Sequence, residues 1–468
     1  MKYNDINIDK ANKWKRLGIL VSIGLPIISI ALITTQPNFW LQLEAVSSRA
    51  FSKLEEPYRY PFYQSLAGNR TLIAPLQQEI AFYQERIRQY PDRALEQADL
   101  ASTYLRMARL TGEGSWYLLA DQTARQSLAL LPIDNSEALA VLARVAEANH
   151  DFNKTLQLAA QIPNPKEALP MQVTANLAMG RLEQADQAAE QLVDLTLSMH
   201  AFTLRALVKT AQGNDQEALQ NFRYALEVEE AGELSHSART RTLLGRFYYE
   251  RGDLQRAKDF YQEALRIAPN DASALLNLAQ LELRQGHYRV AERYYHRVAQ
   301  QQASPTVFDP LILRGQAQIK AAQGDRTGAE TLWAEAETQL RQSVGSLSLG
   351  HRRDLARLLL ERGHSQDIAE AVSLMAAEVQ LRRDADTLGT YAWALTEAKR
   401  WQEAQSIIQM ALDSGVRSAK LWHQAATIAQ ATGNKAEANT YFQKVRAIDP
   451  NFNEKARRAI HLGVGLGS

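Results

Sequence analysis

Cysteine is absent from the 468 residues. That absence excludes disulfides, thiolate zinc sites, iron–sulfur clusters and cysteine nucleophiles, and it leaves the redox compartment open. An excess of either charge is also missing, since 53 Lys and Arg face 52 Asp and Glu. Such a balance gives the chain no overall pull toward nucleic acid, and no nucleic-acid partner is expected. Catalytic punctuation is lacking as well. No GxSxG and no Walker lysine motif occurs, and none of the nine histidines pairs with another at the i, i+4 spacing of metal ligands. The glycine-rich ending "GVGLGS" (463–468) imitates a nucleotide loop, but no helix follows it, so it reads as a flexible tail. "NRT" (69–71) and "NKT" (153–155) match the glycosylation sequon, a motif short enough to arise by chance. No catalytic residue, metal or cofactor is expected, and the chain does not read as an enzyme.

Long uncharged apolar runs are scarce, and the one at 17–35, "LGILVSIGLPIISIALITT", stands out. As a helix it spans roughly 28 Å, close to the hydrocarbon thickness of a bilayer. Lys2, Lys10, Lys13, Lys15 and Arg16 precede it, whereas only Arg49 and Lys53 are basic in the twenty residues that follow. Trp14 before it, and Phe39 and Trp40 after it, suit the two interfaces. The expectation is a cytoplasmic tail (1–16), a single span (17–35) in contact with lipid, and everything beyond residue 36 on the far side of the cell membrane. The competing reading is a cleaved signal peptide, for which the run is long and a nearby small-x-small site is missing. A linker or stalk follows at 36–71. Its "PYRYPFY" stretch reads as extended, either folded back as an N-terminal cap or docking on a membrane or partner.

What is abundant is repetition. The chain is too long for one ordinary core, and its apolar residues recur at a period of 34. Counting from Ala238, the small or apolar positions are Leu244, Gly245, Tyr248, Gly252, Ala257, Tyr261, Ala264 and Pro269. Counting from Ala419, they are Ala425, Ala426, Ala429, Gly433, Ala438, Phe442, Val445 and Pro450. Each unit reads as two short helices. Small residues at the eighth and twentieth positions let the helices approach, glycine at the fifteenth caps the first, and proline stops the second. These spacings are packing and punctuation. "TGEGSW" (111–116) reads as an insertion between paired helices, and "AGELSH" (231–236), "SPTVFDP" (304–310) and "SVGSLSLG" (343–350) as longer junctions. A basic last helix at 453–462 reads as the closing cap.

These residues resemble the tetratricopeptide repeat family, most specifically in the units opening at Ala238, Ala272, Ala385 and Ala419. The resemblance implies an all-α, right-handed superhelical solenoid of about ten helix-turn-helix repeats over 72–462, behind the one transmembrane helix and a lone helix at 72–89. It also implies that first helices line a concave groove. The positions facing it give Arg239, Arg246, Tyr249, Arg284, Arg314, Arg353, Arg357 and Trp393 as a partner-binding surface for an acidic or extended protein segment. The other reading is ordinary solvated helix faces, with Glu250, Glu361 and Glu397 at hand to pair the cations. The Lys and Asn pattern with which some members grip a C-terminal carboxylate is absent. An anchored scaffold for protein partners, in envelope assembly or secretion, follows. The alternative is an envelope protein that holds an anionic polysaccharide on the arginine face.

Overall fold

How closely two helices of a unit approach is set by the residues between them. In the computed structural model, which describes Leu54 and residues 58–62, 73–300, 305–346 (side chains to 342) and 351–453, a Cβ on Gly245 would lie 2.6 Å from the Tyr261 ring and 3.1 Å from the Ala257 carbonyl oxygen. Ala257 and Ala264 have no accessible surface. The small positions of the 34-residue pattern are therefore contacts between helices, as their spacing predicts.

The described residues form 21 helices and no strand. A lone helix, α1 (Ile73–Gln89), precedes ten pairs. The first five pairs are α2 (Ala94–Thr111) with α3 (Gly114–Leu130), α4 (Ser136–Ala148) with α5 (Phe152–Ala159), α6 (Pro165–Ala178) with α7 (Leu182–Leu195), α8 (Met199–Ala211) with α9 (Asp215–Glu227), and α10 (Leu234–Glu250) with α11 (Leu254–Ile267). The rest are α12 (Ala272–Gln285) with α13 (Tyr288–Ala299), α14 (Asp309–Ala322) with α15 (Arg326–Ser346), α16 (Arg352–Arg362) with α17 (Ser365–Glu378), α18 (Ala385–Glu397) with α19 (Trp401–Leu412), and α20 (Ala419–Ala431) with α21 (Lys435–Ile448). Turns are written in the sequence. Gly252 takes φ 76° to end α10, and the next residue, Asp253, accepts a hydrogen bond from the Arg256 amide at 3.1 Å to open α11. Gly213 and Asn214 do the same between α8 and α9.

Three expectations change. Only Gly112 and Glu113 separate α2 from α3, so "TGEGSW" is no insertion: Gly112 caps α2 in the left-handed region and the rest is already helical. The "SVGSLSLG" junction is partly helix, because α15 continues to Ser346. The described residues of the segment before the array do not lie at its N-terminal end. Tyr58, Tyr60 and Phe62 lie against α10 and α11 in the fifth unit, where the Tyr60 amide donates to Glu263 Oε1 at 2.7 Å and Arg241 Nε donates to the Tyr58 carbonyl at 2.9 Å. Arg241 is wholly buried because Glu229 pairs with it through both oxygens, at 2.6 and 2.9 Å. The 1–16 tail, the 17–35 run, the 453–462 helix beyond Asn453 and the 463–468 tail lie outside the described residues. No described helix is long and apolar enough to cross a membrane.

The array also winds back on itself. Partners about 200 residues apart, roughly six repeats of 34, meet across successive turns of the winding. The Val307 amide donates to the Gly112 carbonyl at 3.0 Å, and the Arg383 amide to the Ala178 carbonyl at 2.9 Å. A Cβ on Gly213 would lie 2.0 Å from the Gly415 carbonyl oxygen, and one on Gly252 would lie 2.3 Å from Asp449 Oδ1. First-helix termini thus pack against the next turn, and this places the inner helix faces around an enclosed space.

Candidate functional site

First helices supply most of the residues that line the space between the turns. Their arginines do not form an open track. Arg314 is 2% exposed and bonds to both oxygens of Glu361, at 2.9 and 2.5 Å. Arg357 Nη2 reaches Asp386 Oδ1 at 2.6 Å while its Nε donates to the Thr390 hydroxyl. Arg353 lies 3.4 Å from Asp386 and 3.6 Å from Asp384. Arg284 donates to Asp449 at 2.6 Å, and Arg246 Nε donates to Glu250 at 2.9 Å. The Trp393 indole N–H is held by Glu397 at 2.9 Å. Tyr249 is buried under the Arg284 guanidinium, 5.2 Å from its ring centre, and burial pushes its phenol up to about 12.

The reason is desolvation. A guanidinium on an enclosed inner face loses water and must find a carboxylate, and the neighbouring helix supplies one. Arg314 and Arg353 keep their charge more firmly than usual despite burial, because Glu361 and the Asp384–Asp386 pair stand beside them. Arg246 and Arg353, expected on an open partner-binding surface, sit in the wall already paired, Arg246 with Glu250 and Arg353 with Asp386. Arg239 differs. Burial pushes its guanidinium down to about 10, with Glu147 attracting and Arg144 repelling it.

Sequence reading sets Glu250, Glu361 and Glu397 at hand to pair these cations, but passes over the other inner residues that complete this face. Glu250, Glu361 and Glu397 occupy the thirteenth position of their units and Asp386 the second, the same positions at which cations were counted. Lys420, also at a second position, is pushed down to about 7 by burial and by Arg357. Arg144, Glu147 and His200 take inner positions in the units opening at Ser136 and Met199.

Between the turns lies a cavity of about 180 Å³. Phe152, Leu177, Leu207, Leu243 and Phe247 make its apolar wall, and Glu147, His150, Arg246, Arg353 and Asp386 its polar edge. His150 belongs to both turns. Its Nδ1 lies 3.3 Å from Glu378 and its Nε2 3.3 Å from Arg382. Such a space accepts a side chain with one apolar face and one polar end.

Parts of the chain match a known repeat family. Residues 197–270, 248–319 and 419–452 match family models described as tetratricopeptide repeat. No curated protein matches by sequence. Among solved structures, the chain is similar to a tetratricopeptide repeat protein from Parabacteroides merdae ATCC 43184 (16% identity, 55% of this chain and 93% of that one, TM-score 0.36). It is also similar to the human IFIT1 dimer with PPP-AAAA (13% identity, 80% and 87%, TM-score 0.43) and to the APC/C hetero-tetramer Cut9–Hcn1 (13% identity, 90% and 99%, TM-score 0.32).

Proposed function

Because the chain carries tetratricopeptide repeats, a scaffold for protein–protein interaction, we propose that it binds protein partners inside its wound array, anchored by residues 17–35 with the array beyond the cytoplasmic membrane, in envelope assembly or secretion. The observation that carries the binding reading is the cavity between the turns. Its apolar wall is reachable from solvent and its polar edge is preorganised by ion pairs. A partner's side chain that enters gains apolar burial without having to order the site. The anchor and its orientation rest on the uncharged run, its interfacial aromatics and the basic residues before it. Reading the inner face as a hold for an anionic polysaccharide would need a row of open arginines, and Arg246, Arg284, Arg314, Arg353 and Arg357 each meet a carboxylate.

Two experiments test the reading separately. A reporter active only outside the cytoplasm, fused after Ser468, is expected to be active; activity only from an N-terminal fusion would reverse the topology. Leu207→Asp places a charge in the apolar wall and is expected to weaken recovery of crosslinked partners by about tenfold, the cost of a poorly paired buried polar group. Unchanged recovery from a folded Leu207→Asp chain removes the cavity from the binding surface.

A further inference from the structure

We propose that the array carries a second peptide site, on α10, α11 and the turn before them, which grips the main chain of a short segment with aromatic residues at alternate positions, and that residues 58–62 of this chain occupy it as an internal ligand. The site goes beyond the scaffold reading above, because none of the residues that form it lines the cavity.

Residues 58–62, "YRYPF", form neither helix nor strand and stand outside the 34-residue pattern. They meet the array 183 to 206 positions further along the chain. The grip is on the backbone. Arg241 Nε donates to the Tyr58 carbonyl at 2.9 Å, and Arg266 Nη2 donates to the Tyr60 carbonyl at 3.1 Å. The Tyr60 amide donates to Glu263 Oε1 at 2.7 Å. Contacts of this kind serve any segment of the same shape, provided that its central residue has an N–H, which excludes proline there.

The array builds the charged part of the site by itself. Glu229 accepts from Arg241 through both oxygens, and Arg241 also donates to the Ser237 carbonyl at 3.1 Å. Glu263 holds Arg266 one turn away on α11, with Arg266 Nε donating to Oε2 at 2.8 Å and Nη2 to Oε1. The two ion pairs therefore stand in place before any ligand arrives, and each turns one further group toward the segment. Burial would push the Glu263 carboxyl up, but Arg266 and the Tyr60 amide together hold it below the usual carboxylate range. A ligand's N–H thus completes the hydrogen bonding of a buried acid.

The side chains of the segment show what else is selected. Tyr58 meets Phe260 edge-on at 5.4 Å, and Phe62 meets Tyr60 edge-on at 5.7 Å. Tyr60 is 2% exposed and joins a cluster with Ala238, Ala264, Ile267 and Ala274, small residues that leave room for a ring. The Arg241 guanidinium lies 5.7 Å from the centre of that ring. The Tyr60 hydroxyl is buried and has no hydrogen-bond partner among the described residues. The pocket therefore recognises the ring and gains nothing from the phenol, so phenylalanine fits it at least as well.

Occupation from within sets a threshold. A tethered ligand acts at an effective concentration that reaches the millimolar range, so a partner's segment must displace it before it binds. The site is closed to weak ligands and opens to those that combine the aromatic spacing with the central N–H.

The test is fluorescence anisotropy on two full-length chains, the natural one and one carrying Tyr58→Ala with Tyr60→Ala, which loosens the internal ligand. The probe is the fluorescein-labelled peptide Pro-Tyr-Arg-Tyr-Pro-Phe, the sequence of residues 57–62. The double variant is expected to bind it about tenfold more tightly than the natural chain, because internal competition is relieved. A peptide N-methylated at its second tyrosine lacks the N–H that Glu263 accepts and should bind about tenfold more weakly. A peptide with phenylalanine in place of that tyrosine should bind no more weakly than the parent. Thermal melting supplies an independent readout: the parent peptide should raise the melting temperature of the double variant and leave the natural chain unchanged. The proposal is overturned if both chains bind the peptide alike, if the N-methylated peptide binds as well as the parent, or if the double variant no longer folds, which would make the segment part of the fold. In each of these cases crosslinks at Leu207 still decide the scaffold reading on their own.

Discussion

Arg284 Nη2 and Asp449 Oδ2 are 2.6 Å apart and 165 positions apart in sequence, and both side chains are buried. The pair locks the sixth unit to the end of the tenth across successive turns. Asp449→Ala leaves a buried guanidinium without its acid, and a cost of about 3–5 kcal/mol is expected. Because the pair lies at the array's last described turn, the loss should appear first as faster hydrogen exchange in α20 and α21. Arg284→Met with Asp449→Leu should recover much of it, since an apolar pair avoids the desolvation of two charges. A double variant as frayed as Asp449→Ala would show that the contact is not electrostatic.

Two glycines with the same backbone separate winding from capping. Gly213 and Gly433 have φ of 74° and 87°, so alanine is strained at both. Around a Cβ on Gly433 there is open space, whereas on Gly213 it would collide with the Gly415 carbonyl. Gly433→Ala should cost about 1 kcal/mol and Gly213→Ala distinctly more, as measured by urea unfolding. Equal costs would mean the turns do not touch there.

The repeat was legible because its small residues, capping glycines and stopping prolines act within one unit, and Gly245, Ala257 and Ala264 pack as their positions dictate. The winding was not legible. Whether Gly213 meets Gly415 depends on small rotations summed over six units, which no single residue encodes. The same gap misled the reading of the arginines. Counting cations at inner positions without Asp386, and keeping Glu250 and Glu361 only for the other reading, left an open track where the chain pairs itself. Arg144 and His200 escaped notice because their units match the pattern more loosely.

His150 gives a pH test. Burial is the main influence on it and lowers its value below that of a free imidazole, against the opposing hydrogen bond to Glu378. The folded chain therefore binds fewer protons than the unfolded one as pH falls through about 6.5. Stability should be full above pH 7 and decline toward pH 5, by at most about 1.4 kcal/mol per pH unit for this one proton. Its φ of 58° suits asparagine, so His150→Asn should fold and show a shallower decline of the urea midpoint from pH 7 to pH 5. An unchanged slope would mean that His150 is protonated in the folded chain.

Site-specific photo-crosslinking in native membranes tests the central claim most directly. A photoreactive phenylalanine analogue at Leu207, in the cavity wall, is compared with one at Ile133, which is 74% exposed between the first two units. The account predicts a discrete protein adduct from position 207, lost on Leu243→Asp in the facing wall, and none from position 133. Adducts from position 133 alone, or equal adducts from both that survive the Leu243 change, would contradict binding inside the array.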